Sequence, residues 1–395
     1  MNQRAKVIKI IGISLGVIII GVIATVYLLL NRKPIVLEDL AEAKPFTWRK
    51  VDLGNDVQSS DGSAYYLLTK KGASDRWVIF FSGGGVSWDG KSAAQPIKVM
   101  NFFTGKDLGN YFANIPPYLL TILDGMMNSK REDNPFREWN MVYVPYATGD
   151  FHIGNRSAAY DKPDGSSFTM EYNGRTNVER SLEWVYANVK DPEKLLIAGE
   201  SAGGFGSAFW AGEISEHYPT TDIYQYSDSA FLYSDKWPDI LDQEWDADVE
   251  LNFGFPAEAD LIGAAFKGNS DRMPGDTVLL QSYSVYDEVL IHFEDRINDM
   301  DSPLDGQKIE EWTRRLRQSV RTLADTVPNY YFFLTDYGMN DKTGMTGHTF
   351  ATRDTFYDAE EDGITLLRWL DDIINQEERY SVGSMFINEL EEGEK

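Results

Sequence analysis

The pentapeptide Gly199-Glu200-Ser201-Ala202-Gly203 follows directly on the apolar run Leu195-Leu196-Ile197-Ala198, and no other feature limits so tightly what this chain can fold into. A G-x-S-x-G sequence in that place calls for a strand that turns sharply into a helix, with the serine raised on the turn. The flanking glycines lack the Cβ atoms that would crowd such a turn. Beyond Ser201 lie Gly203, Gly204, Gly206, Ser207, Ala208, Ala211 and Gly212, small residues suited to a helix packed closely on its own strand. A serine hydroxyl is a weak nucleophile at neutral pH and needs both exposure and a base. The turn supplies the exposure.

The rest of the chain alternates in the way such a turn requires. Strands are expected at 65–69, 77–82, 141–146, 195–198, 223–227, 278–284 and 330–335, most of them continuous apolar or aromatic runs of the kind covered on both faces. Helical patterns occupy 176–189, 202–217, 309–323 and 364–374. Strands alternating with helices predict an α/β protein, a doubly wound, mostly parallel sheet of α/β-hydrolase type with helices on both faces. The aromatic and methionine-rich stretch 102–138 interrupts the pattern and reads either as an insertion lying over the site or as an ordinary helical layer of the core. From 376 to 395 the chain is mostly acidic and is expected to be a frayed tail.

Residues 1–33 stand apart. Ile10 to Leu30 carries no charge and is flanked by Arg4, Lys6 and Lys9 before it and by Arg32 and Lys33 after it, long enough for a membrane-spanning helix. No small-x-small cleavage site follows, which favours a retained anchor over a signal peptide. The charge bias favours a cytoplasmic N-terminus, so the expectation is a single-pass cell-membrane protein with a linker at 34–45 and an extracellular catalytic domain at 46–375. The 395 residues include no cysteine, which removes disulfides and thiolate chemistry and, in an exported protein, points to a bacterial source. Acidic residues outnumber basic ones 62 to 37, which argues against nucleic acid as a partner.

A base for Ser201 has to come from four histidines. His217, late in the helix after the turn, and His292, in the run Val289-Leu290-Ile291-His292-Phe293, read as structural. His348 follows the last expected strand through a glycine-containing loop, where an α/β-hydrolase fold places its base. His152 follows a strand end too, but precedes Ser201 in the chain. Asp287 and Asp228 each follow a strand and are both candidates for the acid, Asp287 the preferred one because its strand directly precedes that of the histidine. Donors for a tetrahedral oxyanion are expected from the Ala202 N–H and from Gly83-Gly84-Gly85-Val86, a glycine-rich loop directly after a strand. No lysine-hydroxyl pair follows these glycines, so they do not read as a phosphate cradle.

Taken together, Gly83-Gly84-Gly85, the segment Thr148-Gly149-Asp150-Phe151-His152-Ile153-Gly154, Tyr172-Asn173-Gly174-Arg175, Ser201-Ala202-Gly203-Gly204, Ser227-Asp228-Ser229, Tyr286-Asp287 and Gly347-His348-Thr349 resemble the pectin acetylesterase and Notum family of carboxylesterases. The resemblance implies Ser201, Asp287 and His348 as a triad and oxyanion donors from Gly85, Val86 and Ala202. It also implies architectural or pocket roles for Gly84, Asp150, His152 and Asp228. Val86 and Ser87 stand where relatives carry a tryptophan and a cysteine, and Glu288-Val289 follows Asp287 in place of tryptophan and glutamine. The implied activity is hydrolysis of an acyl ester, acetyl on a polysaccharide in first place and a longer acyl chain in second, with no metal or organic cofactor. A membrane-tethered binding module that has lost turnover is the reading from another class; a peptidase on the same fold is a third.

Overall fold

The computed structural model describes residues 34–98, 109–162, 164–299 and 305–393, together with Gly21. The expected membrane anchor and residues 102–108 of the expected insertion lie outside this range. Among the described residues no helix is long and apolar enough to cross a membrane.

Eleven strands enter the argument: β1 (Ile35–Val36), β2 (Trp48–Val51), β3 (Leu67–Lys70), β4 (Arg76–Phe81), β5 (Asn140–Val144), β6 (Arg156–Asp161), β7 (Ser167–Tyr172), β8 (Lys194–Glu200), β9 (Asp222–Asp228), β10 (Val278–Ser284) and β11 (Tyr330–Thr335). Nine of them form one sheet in the order β1-β2-β3-β5-β4-β8-β9-β10-β11. From β5 to β11 every pairing is parallel, while β3 is antiparallel to both its neighbours. The chain moves outward from β4 to β5 and then returns to the other side of β4 with β8. That reversal makes the carboxyl ends of β4 and β8 a topological switch point, the place where open α/β sheets hold ligands. The glycine-rich loop leaves β4 there, and Ser201 leaves β8.

Side chains along each strand alternate between two cores, as a period of two demands. Ile79, Phe81, Leu195 and Ile197 pack on one face, while Val78, Phe80, Leu196 and Ala198 pack on the other. The first face is covered by α1 (Gly174–Asn188), α2 (Ala202–His217), α3 (Leu261–Arg272), α4 (Glu288–Ile297) and α5 (Gly306–Thr326); the second is covered by α6 (Leu366–Ile374) and by residues of the 115–139 stretch.

The central strands fall where the apolar runs predict them. The hairpin β6–β7 and the short strands β1 and β2 at one side of the sheet do not announce themselves, because they are largely exposed or half-buried and carry no long apolar run. The run 289–293 is not core packing throughout. It belongs to α4, whose Leu290 and Ile291 face inward while His292 faces solvent. The C-terminal stretch is more ordered than its composition suggests: Val382 pairs with β11, its amide bonding to Phe332 O at 2.9 Å and its carbonyl taking Leu334 N–H at 3.0 Å, and a helix runs over Ser384–Gly393. A strand edge with unpaired amides recruits such a segment whatever its charge.

Candidate active site

Ser201 sits between β8 and α2 with φ 54° and ψ −126°, a conformation that side-chain-bearing residues rarely adopt and that costs on the order of 1–3 kcal/mol. Its surroundings impose it. The Ser201 N–H donates to the Asp228 carbonyl at 2.8 Å, and the Gly204 N–H donates to the Ser201 carbonyl at 2.8 Å. Glycine is required beside it, because a Cβ at Gly199 would lie 1.9 Å from the Gly203 carbonyl oxygen and one at Gly203 would lie 2.0 Å from that of Phe81. The small residues after the serine thus let α2 start almost in contact with β4 and β8.

His348 lies on the loop that follows β11, and the loop is fixed on both sides of it. Upstream, the Thr346 N–H bonds to Tyr286 O at 2.9 Å and the Glu288 N–H bonds to Thr346 O at 3.2 Å. Downstream, the Phe350 and Ala351 amides donate to Asp228 Oδ2 at 2.7 and 2.8 Å. Between these ties, His348 Nδ1 meets Asp287 Oδ2 at 2.7 Å. The carboxylate is held in turn: Asp287 caps α4, its Oδ1 accepting from the Val289 and Leu290 amides, each at 3.0 Å. An acceptor at Nδ1 fixes the proton there and leaves Nε2 as the free ring nitrogen. Burial works to depress the imidazole's pKa, but the Asp287 charge and hydrogen bond, helped by Asp228, outweigh it and hold His348 above the ordinary value of 6.5.

The two candidate acids therefore divide. Asp287 touches the imidazole; Asp228 touches the backbone that carries it, with Oδ1 taken by the hydroxyls of Ser282 at 2.9 Å and Ser229 at 3.0 Å. Ser201 and His348 line the same cavity of about 660 Å³, together with Gly83, Gly84 and Gly85. His217 and His292 do not line it. Its walls are largely apolar, formed by residues such as Phe112, Pro116, Leu119, Ile122, Leu123 and Val289. The described part of the expected insertion thus serves both readings: its middle walls the cavity, while Met126, Met127 and Phe136 are buried in the core.

One expected donor does not fit. The Val86 N–H bonds to the Asn110 carbonyl at 2.8 Å, and Val86 is buried away from the cavity. The loop after β4 forms a bridge with Tyr111, using the Val86 amide and the Gly84 carbonyl, the latter accepting from Phe112 N–H at 2.9 Å. Neither the Gly84 nor the Gly85 amide takes part in that bridge, and both glycines line the cavity. The Ala202 N–H belongs to the first turn of α2, where amides lack a partner within the helix.

Asp150 and His152 are placed behind the glycine loop and not in the cavity. Asp150 accepts from Thr148 Oγ1 at 2.6 Å, from the Gly174 N–H at 2.9 Å and from the His152 N–H at 3.2 Å, tying its loop to the start of α1. Burial pushes its carboxyl up to about 6. The His152 ring donates from Nε2 to the Ser82 carbonyl at 3.0 Å, just before the three glycines. Burial holds it down to about 4 against that hydrogen bond, so it stays neutral.

A residue the sequence reading passed over is Glu200, beside the serine. Its side chain lines the cavity and receives the Thr352 hydroxyl at 2.8 Å on each oxygen. Burial and the Asp228 charge push it up to about 7, against Thr352, Arg353 and His348, which pull it down. Among the described residues no group of three histidine, aspartate or glutamate side chains is arranged to hold a metal ion.

The pectinacetylesterase family profile matches residues 52–243, which take in the glycine loop, Asp150, His152, Ser201 and Asp228. These matches support the pectin acetylesterase and Notum family for the matched part of the chain. It is 30% identical over 166 residues to the palmitoleoyl-protein carboxylesterase notum1a of Danio rerio, covering 40% of this chain and 30% of that one. It is 27% identical over 191 residues to notum1 of Xenopus laevis, covering 46% of this chain and 36% of the relative. The alignments thus span about a third of the length of these curated relatives. The solved structure of the Wnt deacylase Notum from Drosophila shares the fold, with a TM-score of 0.56 at 15% identity over 84% of this chain and 94% of that one. Asp287 and His348 lie beyond the profile match, which ends at residue 243.

Proposed function

We propose that the protein is a serine carboxylesterase. The observation that carries this is the convergence, in one cavity, of a serine on a strained turn with a histidine whose other nitrogen is held by a capped aspartate. In this reading His348 Nε2 takes the Ser201 proton as Oγ attacks the ester carbonyl. Asp287 holds the tautomer and stabilises the imidazolium that forms, and the alcohol leaves with the proton from His348. Water then repeats the sequence on the acyl-enzyme. The Gly84, Gly85 and Ala202 amides are the donors proposed for the oxyanion, each worth roughly 3–4 kcal/mol in the transition state.

The cavity favours an acyl chain well beyond two carbons. An acetyl group would leave most of about 660 Å³ of apolar-walled space without a partner, whereas a longer chain gains roughly 0.8 kcal/mol for each methylene it buries. Acetate release, suggested by the name of the family, is the second reading. Turnover of p-nitrophenyl esters of increasing chain length decides between them: kcat/KM rising over at least the range from C2 to C8 supports the long chain, and a maximum at C2 overturns it. Labelling of Ser201 by a fluorophosphonate tests the nucleophile itself, and a well-folded protein that resists the probe would instead fit the binding-module reading. The uncharged segment from Ile10 to Leu30 supports a membrane-tethered enzyme, which fractionation of the full-length chain with and without detergent tests.

A further inference from the structure

The cavity beside Ser201 is not apolar all round. The loop that carries His348 also contributes Thr349, Thr352 and Arg353 to the lining, and β8 contributes Glu200, the residue directly before Ser201. Thr352 bonds to Glu200 and Arg353 to Thr349, so these side chains form a polar part of the lining.

Glu200 has more hydrogen-bonding capacity than its protein partner uses. A carboxylate offers about four acceptor sites, and the one proton of Thr352 Oγ1 is shared between both oxygens. Arg353 reaches Thr349 Oγ1 through Nε at 3.0 Å and not Glu200, so no bidentate ion pair consumes the carboxyl. We propose that Glu200 is a specificity residue that hydrogen-bonds the alcohol portion of the ester, selecting alcohols that carry a second hydroxyl within reach of the ester oxygen. The inference rests on Ser201 being the nucleophile and adds which end of the substrate faces which wall: the acyl chain lies against Phe112, Leu119 and Val289, and the alcohol against Glu200.

The chemistry favours a hydroxyl over an ammonium group. The groups whose charge or dipole faces Glu200 include Asp228 and Tyr226 from β9, His348, Thr352 and Arg353 from the loop after β11, and Tyr143 from β5. Between them they leave the carboxyl titrating near neutrality, at about 7. A hydroxyl bonds to either form, donating to the carboxylate or accepting from the acid, whereas an ammonium group gains its charge pairing only with the carboxylate.

The test uses two esters of one acid, with the acyl chain that the p-nitrophenyl series shows to be preferred: the ethyl ester and the 1-glycerol monoester. The wild-type enzyme should favour the glycerol ester by about tenfold in kcat/KM, the scale of one hydrogen bond to a charged group. Glu200→Ala should bring the ratio to within about twofold of unity. Glu200→Gln, which keeps a hydrogen-bonding head, should restore part of the preference. A ratio near unity in the wild type, or one that Glu200→Ala leaves unchanged, overturns the proposal while leaving the serine mechanism standing. Failure of the wild type to turn over any ester, p-nitrophenyl esters included, removes the premise and the proposal with it.

Discussion

Two loops at the carboxyl edge of the sheet each hold a buried histidine near a buried aspartate, and they use the same pair of residue types in opposite ways. In the loop after β5, Asp150 binds a hydroxyl and two backbone amides and does not meet the imidazole of its neighbour; His152 finds a backbone carbonyl instead and is held down to about 4 by burial. On the loop after β11, His348 is met directly by Asp287, which stands between β10 and α4, and the histidine is raised despite its burial. A neutral partner leaves a buried imidazole uncharged at every working pH, while a carboxylate stabilises the charged form. Only the second pair can accept and return a proton near neutrality. The first is a tie that holds the Ser82 carbonyl, and with it the glycine loop, in place.

The largest expected effect breaks the comparison at the histidines. His348→Ala should lower kcat on the order of 10⁴- to 10⁶-fold, as losing a member of such a unit does, with little change in Tm. His152→Ala should do the reverse in kind: a loss of stability of about 2–4 kcal/mol from the lost ring and hydrogen bond, read by urea unfolding, with turnover falling less than a hundredfold. Equal kinetic losses in both variants would show that the division is wrong.

The aspartates offer the next test. Asp287→Asn should lower kcat by about 10⁴-fold by presenting the wrong partner to Nδ1. It should also move the activity profile: in the wild type the rate rises with pH through a midpoint above 6.5, because His348 must lose its proton and is raised; with the Asp287 charge gone, burial is opposed mainly by the weaker pull of Asp228 and the midpoint moves down. Asp228→Ala removes the acceptor for the Phe350 and Ala351 amides, at about 1–3 kcal/mol for each amide left buried without a partner, so its signature is a lowered Tm together with a loosened His348.

The smallest effect concerns stability against pH. His152 has a folded-state value of about 4 against an ordinary 6.5. Its contribution is therefore complete above pH 6.5 and is lost as pH falls toward 4, about 3 kcal/mol in all. Asp150 is raised to about 6 from 3.8, so its contribution has the opposite sign: complete below pH 3.8 and lost as pH rises through 6, again about 3 kcal/mol. The two nearly cancel between pH 4 and 6. Asp150→Asn should therefore steepen the acid loss of stability measured by urea unfolding across that window, and an unchanged slope would show that Asp150 titrates normally.

Much of this frame is legible in the residues because its causes are local or periodic. The central strands are continuous apolar runs, and Gly199 and Gly203 are dictated by contacts within a few residues of Ser201 or with the adjacent strand. The chain order of Ser201, Asp287 and His348 follows from the order of the strands. Asp228 and Asp287 were harder to separate, since both end neighbouring parallel strands and both are buried; what differs is which oxygen faces a ring and which faces a backbone amide. Val86 was misread because a bridge to Tyr111, about 25 residues on, takes its amide, and no pattern near the glycines signals that pairing. Glu200 escaped notice because the second position of the pentapeptide is unconstrained by the turn.

The sequence by itself determined the alternating sheet, the strained turn and the small set of side chains able to serve it, since those depend on hydrophobic period and on where a Cβ fits. Only the tertiary structure decided that Asp287 and not Asp228 meets His348, that the Val86 amide is taken by Asn110, and that Glu200 lines the same cavity as Ser201. Those outcomes depend on how loops far apart in the chain meet, and such contacts are fixed by packing, not by spacing along the sequence.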